Sequence, residues 1–235
     1  MNRLFYAAHR WLALVGLLQL LVWTGSGLFF AIVPIDRVRG EHTRQHRPEP
    51  TLPVEQLAPL PRRAMSQATI RMLDGRPIIV TEAQGERHAY DGLTGAALEI
   101  TADWATRIAR TDQLDTSKVG SIARVEAAEV EYRDKPLPAW LVTFDDGLGT
   151  RVYVDAVTGA ITARRNSLWR VYDLLWALHI MDYRDRESFN HPLIVLFALA
   201  GVLTVTSGAS LWVLRWRRKV VARKSARARD ALAVR

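Results

Sequence analysis

Cysteine is absent from the 235 residues. Its absence removes disulfides, thiol redox chemistry, iron–sulfur ligation and covalently attached c-type haem together. Any redox centre must therefore draw on other ligands. Catalytic signatures are also missing: there is no G-x-S-x-G, no H-E-x-x-H, no Walker loop and no dinucleotide G-x-G-x-x-G. Nor does the middle of the chain cluster an acid, a base and a nucleophile as a hydrolase needs. An enzyme working alone is not expected.

Charge is missing in two long stretches. No charged residue occurs from Trp11 to Ile35 or from Pro192 to Leu214, and each run exceeds the roughly 20 apolar residues that cross a bilayer core. Both read as transmembrane helices. The first is longer than the roughly 7–15-residue core of a signal peptide and lacks a following A-x-A site, so it reads as uncleaved. Arg3 and Arg10 precede it. The tail from Arg215 to Arg235 holds nine Lys/Arg against the single acid Asp230, whereas residues 11–214 hold 21 basic and 23 acidic groups. Basic residues beside spans stay on the cytoplasmic side, so both termini are expected inside and residues 36–191 outside. RWRRKVVARKSARAR, attached to a span, reads as an anchor against anionic lipid rather than a nucleic-acid site.

Between the spans, HTRQHRPEPTLPVEQLAPLPR is proline-rich and reads as an extended linker. Short β-branched runs then alternate with DGRP, AQGE and DGLTG, the pattern of hairpins. The pattern returns further on. YDGLTGA at 90–96 and VDAVTGA at 154–160 share Asp, Thr, Gly and Ala at an offset of 64, and in each the Asp can cap a turn while the Gly supplies positive φ. ITADWATRIARTDQL, between them, has helical spacing and Thr101 as cap. The expected layout is an N-terminus at 1–10, a span at 11–35, a linker at 36–64 and α+β modules at 65–100 and 101–166. An interfacial helix and elbow at 167–191, a span at 192–214 and a basic tail at 215–235 complete it.

The DxxTG turn after a hairpin resembles the PepSY domain. HRWLALVGLLQLLVWTGSGLFF, and LHIMDYRDRESFNHP followed by a span, resemble the PepSY-associated transmembrane family. That resemblance implies a multi-pass protein of the bacterial inner membrane, with two transmembrane helices flanking a periplasmic α+β region of two tandem PepSY-like modules. It also implies iron uptake or extracytoplasmic electron transfer, including haem-bearing reductase systems. Isolated PepSY domains are instead associated with binding and restraining peptidases. Larger members have four spans, whereas this chain has two.

Without thiolates, imidazole is the side chain best suited to iron. His9 sits at the cytoplasmic edge of the first span. His42 and His46 follow that span, His88 lies in the first repeat, and His179 and His191 precede the second span. SLWRVYDLLWALHIMDY can form a helix with Leu168, Tyr172, Leu175, Trp176 and His179 on one face, lying along the outer surface. Pro192 suits the first turn of the following helix, with Asn190 as a candidate cap. Two readings of this segment stay open. It is either a polar elbow that orients the second span, or a site where His179, His191 and His42 converge to ligate haem b or a metal ion of unassigned identity, with Asp182 or Glu41 orienting an imidazole. His9 is either a headgroup partner or a cytoplasmic-side haem ligand, and across about 30 Å of core it cannot share an iron with the outer histidines. Gly25 and Gly27, and the small residues Ala200, Thr204 and Gly208, mark close helix packing. A homodimer forming a four-helix bundle, or a membrane redox partner subunit, would supply more helices. The function expected is an accessory component of electron transfer or iron handling. The alternative is a tethered module that binds a periplasmic peptide or protein.

Overall fold

The computed structural model describes residues 3–45, 51–52, 54–60 and 64–233. Two helices carry the apolar runs. Helix α1 (Arg3–Ile32) is apolar on every side, and its stretch Ala13–Ile32 is long and apolar enough to cross a membrane. Pro34, which has no N–H to continue the ladder, separates it from the single turn α2 (Ile35–Val38). The last helix, α5 (Pro192–Ala233), has a second such stretch, Pro192–Val221, and continues as helix through the basic segment.

The chain divides into two compact units: residues 1–29 with 175–235, and residues 30–174. The second unit holds the α+β domain. Strands β1 (Gln67–Leu73), β2 (Arg76–Ala83) and β3 (Glu86–Asp91) form an antiparallel sheet in that order. Two-residue turns join them, with positive φ at Asp74–Gly75 and Gln84–Gly85, as tight hairpins require. Helix α3 (Ala102–Asp112) follows, with the Thr101 side chain accepting from Trp104 N. Strands β4 (Val119–Val125), β5 (Ala139–Phe144), β6 (Arg151–Asp155) and β7 (Ile161–Arg165) make a second antiparallel sheet. The two sheets share one core around α3. Leu73 and Ile78 from the first sheet pack with Ile108 and with Val142, Phe144 and Val154 from the second. The opposite face of the second sheet is closed by Tyr132, fully buried and stacked on Tyr153 at 4.4 Å.

The paired turns are built alike. Asp91 Oδ1 accepts from Leu93 N and Thr94 N, and Asp155 Oδ1 accepts from Val157 N and Thr158 N, while Gly95 and Gly159 both have positive φ. Their surroundings differ. Asp155 is 1% exposed and its other oxygen takes Arg87, while Arg71 donates to Thr158 O.

The segment after α1 does not run free at its start. Arg44 pairs with Asp112 at 3.2 Å, Gln45 N donates to Asp112 O, and Leu114 N donates to Thr43 O. Buried Arg164 reaches Asp112, Gln113 and Thr43 beneath this strap. Gly40 allows the close approach. Its φ is +68°, and a Cβ there would lie 2.8 Å from Arg164 Cδ.

Candidate functional site

Helix α4 (Ser167–Ile180) begins in the α+β unit and ends in the membrane unit. Asn166 caps it by accepting from Trp169 N at 2.7 Å. Its first half is fixed to the domain by Arg170 to Glu131 and by Arg133 to Asp173, both at 2.7 Å. The face expected on the membrane surface meets α1 instead. Tyr172 packs on Phe30 at 4.7 Å between ring centroids.

The second half of α4 brings His179 to α1. His179 Nδ1 lies 2.7 Å from Ser26 Oγ, and Trp23 Nε1 donates to the His179 carbonyl at 2.8 Å. A Cβ built at Gly27 would lie 4.0 Å from the imidazole Cε1. Ser26 is 2% exposed, while most of the surrounding apolar stretch is bare. It stands six residues before Ile32, about 9 Å down the helix axis. A histidine from a polar-looking segment thus rests against the apolar span itself.

The remaining candidate residues are placed as follows. Asp182, expected to orient His179, is taken up by its own loop, accepting from Arg184 N, Asp185 N, Glu187 N and Ser188 N at 3.1–3.2 Å. Those amides hold its carboxyl well below the usual carboxylate range. Ser26 takes the orienting place, and its only sequence signal is a hydroxyl between two glycines in WTGSGLFF. Glu41 pairs with Arg39 at 3.9 Å. His191 is the cap that Asn190 was expected to be: its Nδ1 accepts from Leu193 N at 3.3 Å, with Pro192 in the first turn of α5. His42 is exposed in a 3₁₀ turn of the α+β unit. His9 lies on α1, but its side chain, like all of His46, is outside the described residues. His88 is on β3, 3.6 Å from Glu86. Trp176 and Phe189 pack edge to face at 5.4 Å, and Trp176 Nε1 donates to Arg186 O at 3.1 Å.

A model of the PepSY-associated TM region matches residues 2–218. The chain belongs to that family. No curated protein and no solved structure matches it. The match takes in both apolar helices, the α+β domain and α4, so the contact of His179 with α1 lies inside the PepSY-associated region.

Among the described residues no group of three or more His, Asp or Glu is placed to hold a metal ion. The His179 imidazole is seated on an apolar helix, with the Trp23 indole 6.5 Å away between ring centroids. The α+β unit carries a separate cleft of about 270 Å³, lined by Arg87, His88, Tyr90, Leu98, Glu99 and Arg124 among others.

Proposed function

We propose that this PepSY-associated protein is an inner-membrane accessory component of extracytoplasmic electron transfer or iron handling that binds haem b, with its α+β domain in the periplasm. The observation that carries this reading is the seating of His179 against Ser26 and Trp23 of α1. A ring held through Nδ1 offers Nε2 as the ligating nitrogen, and a fixed partner at the other nitrogen is what ligating histidines ordinarily have. Bound haem would supply a one-electron couple.

His179 would hold the haem, with Trp23, Trp176 and Phe189 as apolar surroundings. His191 fits less well. Its Nδ1 lone pair serves the α5 amide, and in the neutral ring that leaves the proton on Nε2. Ligation through Nε2 would require giving up the cap. His42 and His9 remain candidates for a second ligand, His9 for a separate cytoplasmic-side site. No described residue in the apolar stretch of α5 is fully buried, and a homodimer or a redox partner subunit is the proposed companion for that surface. The first test is the haem content of the detergent-purified wild type, grown with ample iron. Haem at a fixed ratio to protein is expected, and its absence after added haem would overturn the reading.

The cleft between Arg87 and Arg124 supports a second reading, in which the PepSY-type domain holds a periplasmic peptide or protein. It mixes cationic, acidic and apolar side chains beside β4, an edge strand whose residues 120–124 are exposed, as peptide grooves do. That reading predicts that Arg124→Glu, and not His179→Ala, releases a co-purifying partner.

A further inference from the structure

The structure assigns Ser26 as the positioning residue that fixes His179 in the Nδ1–H tautomer, leaving the lone pair on Nε2. Only the identity of the ligand rests on the haem reading; the tautomer assignment rests on hydrogen bonds within α1 and α4.

One hydroxyl proton decides the arrangement. A serine hydroxyl has a single hydrogen to donate and two lone pairs to accept with. Ser26 Oγ lies 2.7 Å from Val22 O, four residues back on its own helix, and 3.2 Å from Trp23 O. Carbonyl oxygens only accept, so either of these contacts uses the hydroxyl proton. This return bond to the preceding turn is the usual state of serine in an apolar helix. The same oxygen lies 2.7 Å from His179 Nδ1. With its proton committed, Ser26 can only accept there, and the imidazole must donate from Nδ1. The neutral ring then has no proton on Nε2.

One further contact supports this orientation. Trp23 Nε1 anchors the His179 carbonyl, so the backbone that carries the ring is fixed to the same turn of α1. The capping bond gives His191 the opposite proton arrangement, with Nδ1 accepting. The two histidines that bracket the Asp182 loop are thus distinguished, and His179 is the one whose Nε2 carries the lone pair.

The test is made on the full chain, haem-free and labelled with ¹⁵N-histidine, in detergent at about pH 8, above the range where an ordinary imidazole titrates. His179 is assigned as the signal lost in His179→Gln. Wild type should show a protonated Nδ1 and an unprotonated Nε2. Ser26→Thr should keep that pattern, and Ser26→Ala should shift it toward the Nε2–H form. A wild-type ring carrying its proton on Nε2, or an unchanged pattern in Ser26→Ala, overturns the assignment. If Ser26→Ala fails to insert, the wild-type pattern still decides. Titrating haem into the same samples provides a second readout: Ser26→Ala should bind about 10–100-fold more weakly than wild type, with Ser26→Thr close to wild type. Equal affinity of Ser26→Ala and wild type would remove the positioning role. No binding to any sample would overturn the haem reading alone and leave the tautomer result standing.

Discussion

Trp23 on the first span and His179 on α4 are joined by an indole N–H donating to a backbone carbonyl at 2.8 Å, across 156 positions of sequence. That carbonyl is among the last four of α4, which have no donor within their own helix. Trp23→Phe keeps an aromatic ring and deletes the donor. The variant should be less stable by about 0.5–1.5 kcal/mol, the range for interhelical bonds in membranes. Reversible unfolding of the full chain in mixed micelles measures this.

Asp182 organises the loop between α4 and α5 through four amides. Because its pKa is depressed in the folded protein, its contribution is fully present above the ordinary aspartate pKa of about 3.9 and declines as pH falls below that value. Asp182→Asn replaces one acceptor oxygen by an NH₂ group, so two of the four amides lose their partner. Hydrogen exchange at neutral pH should quicken at residues 184–188 in the variant. It should be unchanged in β5 and β6.

The two like turns should respond unlike one another. Asp155→Ala removes a turn cap and also takes the buried carboxylate from part-buried Arg87, a loss of about 3 kcal/mol. Asp91→Ala removes an exposed cap, worth about 1 kcal/mol. Gly95→Ala meets only Ala58 at 3.5 Å and should cost about the 1–2 kcal/mol of left-handed backbone. Gly159→Ala adds a clash with Leu73 at 2.5 Å and should cost more. Thermal unfolding of the four variants orders them.

Arg164 is 4% exposed at its side chain and joins Asp112 and Gln113 under the strap that follows α1. Arg164→Met should destabilise the protein by about 3 kcal/mol, because Asp112 loses its buried partner and keeps the half-exposed Arg44, and Gln113 Oε1 loses its donor. Proteolysis should then cut sooner near Arg44.

What the sequence made legible was local. Charge-free runs, two-residue turns containing Gly75 and Gly85, the Thr101 cap and the repeated Asp–Thr–Gly turn each depend on neighbours within a few positions. The shared core was less legible, since the pairing of Leu73 with Phe144 through α3 leaves no periodic trace. The strap was hidden for a different reason. Arg44 and Gln45 belong to a polar, proline-rich stretch, and it is docked by the Asp112 carboxylate, by buried Arg164 and by backbone bonds to Asp112 and Leu114. At the site, His179 stood out by its type, and of the two glycines expected to mark close packing Gly27 lies on the side of its ring, whereas a Cβ at Gly25 would meet nothing within 4 Å. Nothing local linked them, because Ser26 and His179 meet only when α4 folds back along α1. Asp182 lay one turn from His179 and drew the orienting role by proximity alone, yet its carboxylate serves the loop amides.

The most direct measurement is the reduced-minus-oxidised absorption spectrum of the detergent-purified full chain, taken for wild type, His179→Ala and His88→Ala after growth with ample iron. Wild type and His88→Ala should show the bands of a b-type haem, and His179→Ala should lose them while still inserting into the membrane. Bands that persist unchanged in His179→Ala, or a wild type without haem, would contradict the account.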